Sequence, residues 1–355
     1  MNALDVLKSY VLNKNIDFEI DDDLLRLLKE QNLQGILYLK TLDDKYKSLY
    51  VSSLVLNQKF NMVEELLRNI FDKNNISYIF LKGAIISHLY PDPEIRTRSD
   101  IDIYISFNDY EKAKKILLDN SFCVKKGIDS TVHKEFLYKN ITVELHYNLF
   151  DKSIDSNVLK FYSDPFKLSY NYKNFEYRMS DTYHFIYAIL HFKNHLRLGA
   201  GLRYLMDFYY MLQKTNIDKE ILSKYIKKFK LEVLFNNILN ALYDLFGFEY
   251  ISFKPVEIQF FYDYLMSYGI HGQNNNDSNY SSVKKHKIKY ILSRVFLTNK
   301  PYRISVFPRL GKHIIFWPMC FIIHLFYLII KKTKKFFILI FKRNKRKDIY
   351  KKLGV

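Results

Sequence analysis

From Asp100 to Ile105 the chain reads Asp-Ile-Asp-Ile-Tyr-Ile, and Ile141 to Tyr147 reads Ile-Thr-Val-Glu-Leu-His-Tyr. A period of two predicts strands with two unlike faces. Asp100 and Asp102 then share one side, while Ile101, Ile103 and Ile105 point into a core. A shorter apolar run, Ile76 to Leu81, ends at Lys82-Gly83-Ala84 and predicts a strand turning into a helix. That helix, Ala84 to Leu89, is stopped by Pro91 and Pro93. A helix over 109–119 and strands near 121–126 and 133–139 complete an α/β unit. Elsewhere the period is helical. Asp21-Asp22-Asp23 opens a helix carrying Leu24, Leu25, Leu27 and Leu28, acids at its start as the macrodipole prefers. A longer helix, about 48–72, aligns Met62, Val63, Leu66, Leu67 and Ile70. Residues 151–175 read as irregular. Ser180-Asp181-Thr182 caps a return to helix, with further helices at about 217–229, 231–246 and 255–268.

The expected fold is therefore α+β, a small mixed sheet within a mainly helical chain that ends in a basic, apolar tail. Residues 1–75 are helices packing on the core, 76–150 the sheet unit and 151–268 a helical domain. Residues 269–282 are a polar stretch expected to be a mobile loop, and 283–355 the tail. At 355 residues two cores are affordable, and 48% apolar with 17% aromatic content excludes a disordered chain. Cys123 and Cys320 lie far apart in apolar stretches with no disulfide or zinc spacing, which suits a reducing compartment. No charged segment followed by a long apolar run opens the chain, so no secretory signal is expected. The net charge of +18 is chiefly a tail property. Residues 331–355 hold eleven Lys/Arg and the single acid Asp348, leaving +8 for the other 330 residues. A nucleic-acid partner is thus weakly supported.

Chemistry concentrates in the sheet unit. Residues two apart on a strand are roughly 6.5–7 Å apart, and two carboxylates so placed repel unless a cation lies between them. Mg2+ or Mn2+ is the simplest resolution, although a solvated strand end carries the same two acids. Glu144 is a candidate third carboxylate, and His146 shares its face. Gly83 permits close backbone approach to a bound group, helix-start amides can hold a phosphate, and Lys82 supplies a point charge. The loop 91–99 delivers Arg96 and Arg98 to the acidic strand. His184, His191 and His195 share a helix face, where a zinc site, substrate contact or plain packing is possible. Arg203 and Asp207 form an i,i+4 pair.

Leu81-Lys82-Gly83, Arg96 ahead of Asp100-Ile101-Asp102, and Val143-Glu144-Leu145-His146 resemble the uncharacterised nucleotidyltransferases of the DNA polymerase β-like superfamily. The likeness covers about residues 76–150, with weaker agreement to about 210. It implies a polymerase β-like core in which Asp100, Asp102 and Glu144 bind Mg2+ or Mn2+. Lys82, Gly83 and Arg96 would bind a nucleoside triphosphate, whose nucleoside monophosphate passes to an acceptor hydroxyl. The wider superfamily opens its site with Gly-Ser or Gly-Gly, whereas this chain has Lys82-Gly83 followed by Ala84. Two other functions fit the same acids: a non-catalytic nucleotide-binding scaffold, and a metal-dependent glycosyltransferase using a nucleotide sugar. Relief of crowding predicts that Asp102→Asn abolishes transfer and leaves the fold intact or slightly stabler.

The tail adds a location. Ile314 to Ile330 is a seventeen-residue apolar run followed by Lys331-Lys332-Thr333-Lys334-Lys335. Seventeen is the lower limit for a span, and Pro318 and His324 interrupt it. A single crossing would also separate the basic tail from cytoplasmic triphosphate. Peripheral or monotopic attachment at the cytoplasmic face is the expectation, with a lipid-linked or envelope precursor as acceptor. A buried helix is the alternative.

Overall fold

The computed structural model of the chain describes residues 2–125, 130–196, 199–267, 297, 303, 306–307, 310, 313–331 and 345–355. Four helices come first: α1 (Ala3–Val11), α2 (Asp22–Glu30), α3 (Gly35–Thr41) and the long α4 (Lys47–Lys73). Asp21 caps α2 by accepting the Leu24 N–H at 2.7 Å, as the acidic run predicts. The sheet unit follows as β1 (Tyr78–Phe80), α5 (Gly83–Ile86), β2 (Asp100–Ile105), α6 (Tyr110–Asp119), β3 (Cys123–Val124), β4 (His133–Tyr138) and β5 (Ile141–His146).

The stretch read as irregular is not. It holds α7 (Ser156–Phe161) and a hairpin, β6 (Ser169–Lys173) and β7 (Glu176–Met179). β7 pairs parallel with β1, which makes a seven-stranded mixed sheet of order β3-β4-β5-β2-β1-β7-β6. The sheet therefore extends past residue 150. Helices α8 (Asp181–Leu196), α9 (Arg203–Lys214), α10 (Lys219–Lys228), α11 (Glu232–Phe246) and α12 (Gln259–Ser267) complete this part, followed by α13 (Trp317–Lys331) and α14 (Lys345–Leu353).

Period-two patterning decides which sheet face is buried. Ile101, Ile103, Ile105, Val143, Leu145 and Phe136 join Phe60, Val63, Leu67 and Phe71 of α4 and Ala113 and Leu117 of α6 in one apolar core. The polar residues of β2 and β5 are left on the other face. Aromatic contacts such as Phe185–Phe208 and Phe192–Phe261 bind the later helices together. Buried Gln31 fastens α2 to them, donating to Leu265 O at 3.1 Å and accepting the Leu202 N–H at 2.8 Å.

Two compact units result, residues 1–274 with 353–355, and residues 275–352. The polar stretch 269–282 lies outside the described residues. In the second unit α13 has 15 residues, roughly 22 Å of helix. Among the described residues no helix is long and apolar enough to cross a membrane. The two cysteines differ in setting: Cys320 is buried, whereas Cys123 is exposed, on a strand of only two residues.

Candidate active site

Strands β2 and β5 run parallel, with Asp100 opposite Thr142, Asp102 opposite Glu144 and Tyr104 opposite His146. Register partners on neighbouring strands point the same way. Asp100, Asp102, Glu144 and His146 thus share the face turned away from the isoleucine core. β4 continues that face, with His133 opposite His146 and Glu135 opposite Glu144. Lys82 arrives from the other side. The Leu81 N–H donates to the Asp102 carbonyl at 3.0 Å, continuing the β1–β2 ladder to the residue before the turn. Lys82 itself has φ 45° and ψ −116°, a conformation costing a non-glycine residue on the order of 1–3 kcal/mol. In exchange its Nζ donates to Asp102 Oδ1 at 2.6 Å.

The hydrogen bonds around Asp102 are dense. His146 Nε2 lies 2.9 Å from Asp102 Oδ1 and 3.2 Å from Glu144 Oε2. Burial alone would favour a neutral Asp102, but the Lys82 ammonium and the His146 hydrogen bond outweigh it and hold this carboxyl well below the usual range. Burial opposes the charged forms of Lys82 and His146 too, and the acids override it, keeping both pKa values raised. Asp100 has the opposite balance. It accepts a hydrogen bond from Ser99 Oγ at 2.9 Å, yet burial and the neighbouring Asp102 charge push it up to about 6.

Helix α8 backs this cleft. Burial and the Lys82 charge depress His191 well below the ordinary histidine value. Burial raises the Tyr187 phenol against the pull of the same ammonium. His191 and His195 meet through their Nε2 atoms at 3.1 Å, whereas the buried His184 Nε2 has no hydrogen-bond partner. The three helical histidines do not form a metal-holding group. Among the described residues the His/Cys/Asp/Glu group with ligand atoms close enough for one ion is His133, Glu144 and His146, within 4.8 Å of one another. His133 was not singled out by the sequence; its signal is the register that sets it across from His146.

The two loop arginines are engaged elsewhere. Arg96 donates through Nε and Nη2 to the two carboxylate oxygens of Asp207, at 2.8 and 2.9 Å, and Tyr90 donates to the same carboxylate at 2.6 Å. Asp207 is thus the partner of Arg96, not of Arg203, whose Nη1 donates to the Thr97 carbonyl at 2.6 Å. Arg98 pairs with buried Glu64 and donates to Asn57 Oδ1 at 2.8 Å and Asn61 Oδ1 at 2.7 Å. A bidentate buried pair is a poor source of charge for a nucleotide, because breaking it strands two buried ions. Both arginines do define Gly83. A Cβ there would stand 3.0 Å from Arg96 Nη1 and 3.2 Å from Arg98 Cγ. The glycine lets the two side chains close over the turn.

The oxygen donors suit a hard divalent cation. Burial raises Asp100 first, and the charges of Asp102 and then Glu144 add to it against the pull of Lys82. Lys82 Nζ and His146 Nε2 both lie on Asp102 Oδ1, so that oxygen already has two partners. The stability expected for Asp102→Asn is overturned by the same contacts. Asp102 is the counter-ion of the half-buried Lys82 ammonium and the hydrogen-bond partner of buried His146, not a surplus charge.

Among curated proteins none matches the chain significantly. A crystal structure titled as the Megavirus polyadenylate synthase is similar at 12% identity and a TM-score of 0.33, over 64% of this chain. This chain covers 47% of that synthase, about half its length. Residues 20–247, spanning the helices α2–α4, the whole sheet and α8–α11, match the family described as "Uncharacterised nucleotidyltransferase". The chain belongs to that nucleotidyltransferase family.

Proposed function

We propose that the cleft transfers a nucleoside monophosphate from a nucleoside triphosphate to an acceptor hydroxyl, assisted by a divalent metal. The observation that carries this is the side-by-side placement of Asp102 and Glu144 on parallel strands with the Lys82 ammonium 2.6 Å from Asp102. The acceptor oxygen bonds to the α-phosphorus while the bond to the β-phosphate's bridging oxygen breaks, and pyrophosphate leaves. Lys82, held charged by the acids, offers its ammonium to the phosphate oxygens. Glu144 takes the hydroxyl proton, and His146, bridging Glu144 and Asp102, orients that carboxylate. A cation held by Asp100, Asp102 and Glu144, Mg2+ or Mn2+, supplies Lewis acidity and neutralises phosphate charge when bound.

A glycosyltransferase would need a nucleotide-binding α/β region ahead of the Asp-x-Asp strand, and α1–α4 occupy that length instead. We place the acceptor at the cytoplasmic membrane surface, as a lipid-linked or envelope precursor. Support comes from Ile315, Phe316, Met319, Ile322 and Ile323, all exposed in and just before α13, followed by Lys331, Lys332, Lys334 and Lys335.

The test is a thermal-shift panel of the four nucleoside triphosphates and several nucleotide sugars, with and without Mg2+, followed by α-labelled triphosphate with candidate acceptors. A ligand at 100 times its Kd adds about 2.7 kcal/mol of stability. A Mg2+-dependent shift with a triphosphate and α-label in the product is expected. Stabilisation by nucleotide sugars alone, or binding without transfer of α-label to any acceptor, overturns the proposal.

A further inference from the structure

We propose that β4 and β5 carry a second metal position, built from His133, Glu144 and His146, that selects Zn2+ over Mg2+. One side chain comes from β4 and two come from β5, with His133 and His146 directly across the strands from each other. Glu144 Oε2 lies 3.2 Å from His146 Nε2 and 3.6 Å from His133 Nδ1. Ligand atoms around a tetrahedral zinc at 2.0–2.1 Å are about 3.4 Å apart, so both nitrogen–oxygen separations already match. Only the nitrogen–nitrogen separation, within 4.8 Å, must close. His133 Nδ1 is buried and has no hydrogen-bond partner, although a carboxylate faces it. A histidine that merely packed would leave that nitrogen unsatisfied at a cost of about 1–3 kcal/mol.

The neighbourhood favours a cation. Glu135 stands directly opposite Glu144, like charge against like charge, which destabilises a strand pair. Lys125 answers Glu135 at 2.7 Å. On the Glu144 side two imidazoles take the corresponding place. Their rings are 4.8 Å apart with planes tilted by 52°. The backbone fixes the start of β4 as well, because Ser130 Oγ accepts the N–H groups of Val132 at 3.1 Å and His133 at 3.3 Å. Two imidazole nitrogens and one carboxylate oxygen suit zinc and neighbouring transition ions, whereas Mg2+ prefers an all-oxygen octahedron. Three protein ligands leave a position open, as in zinc sites that bind water or a hydroxyl.

The measurement is Zn2+ binding to the metal-stripped full-length chain in saturating Mg2+, by titration calorimetry, with anomalous scattering at the zinc edge to locate the ion. One Zn2+ per chain is expected, and His133→Ala should weaken it by more than about tenfold. Lys134→Ala, the next residue, controls for damage to the strand and should bind Zn2+ unchanged. Wild-type protein that takes up no Zn2+ under excess Mg2+, or a His133→Ala protein that binds it equally well, overturns the proposal. So does zinc density located away from Glu144. The result is separable from the transfer reaction. Zinc uptake without transferred label upholds this site and defeats the reaction, and Mg2+-driven transfer without zinc uptake does the reverse.

Discussion

Asp100 and Asp102 carry the same side chain two residues apart and meet opposite fields. Asp100, pushed up to about 6, binds its proton more tightly folded than unfolded, where an aspartate titrates near 4. Its effect on stability is therefore fully favourable below about pH 4 and is lost as pH rises to about 6. Above that, its ionised form costs on the order of 3 kcal/mol. Asp102 is held well below the usual range by Lys82 and His146. Its contribution is present at neutral pH and disappears only as strong acid protonates it. In a chelator at pH 7.5, Asp100→Asn should raise the melting temperature, and the gain should vanish near pH 4. Asp102→Asn should lower stability by roughly 1–3 kcal/mol, because Lys82 and His146 lose the carboxylate they share. Both should abolish transfer. Equal melting shifts for the two variants would contradict the asymmetry. The alternating pattern sufficed to put both acids on one face. It could not separate them, because the contacts that do so come from residues 20 and 44 positions away.

At the scale of elements, residues 96–98 form a strap between two bodies of helix. Arg96 reaches α9 through Asp207, Arg203 on α9 reaches back to Thr97, and Arg98 reaches α4 through Glu64. The strap leads directly into β2 and so fixes the acidic strand against the helices that wall the cleft. Asp207→Ala would leave Arg96 buried and unpaired and should cost about 3–5 kcal/mol in urea unfolding. Adding Arg96→Met to it should recover a large part of that loss. A double variant as unstable as the single one would show that the pair is not what binds the strap. None of this was legible at the outset. Arg96 and Asp207 are 111 residues apart, and a buried ion pair leaves no local pattern. The helices and β2, β4 and β5 were legible, since their one-sided burial writes a period into the sequence. Hairpin β6–β7 was not: Tyr170 and Tyr172 are exposed, so its strands lack a clean apolar face. It is held instead by the free edge of β1.

For the whole molecule, charge and apolar exposure are unevenly divided. The unit of residues 275–352 carries the whole excess of basic charge and a run of exposed apolar residues at Ile315, Phe316, Met319, Ile322 and Ile323. The proposed membrane attachment rests on that pairing, in which apolar side chains would enter the headgroup region while lysines meet anionic lipid. Deleting residues 313–355 is a poor way to test it. Leu353 and Val355 are buried in the first unit, and a Cβ on Gly354, with φ +75°, would stand 2.6 Å from Leu234 N on α11. Such a truncation would damage the folded core along with any membrane contact. Changing Lys331, Lys332, Lys334 and Lys335 together to glutamine keeps those last residues and removes only charge, each lysine contributing about 1 kcal/mol at an anionic surface. The full-length protein should float with anionic vesicles at low salt and be released at high salt. The fourfold variant should remain in the soluble fraction with its triphosphate-induced melting shift unchanged. A wild-type chain that ignores anionic vesicles, or a variant that floats with them as well as the wild type, would move the acceptor away from the membrane.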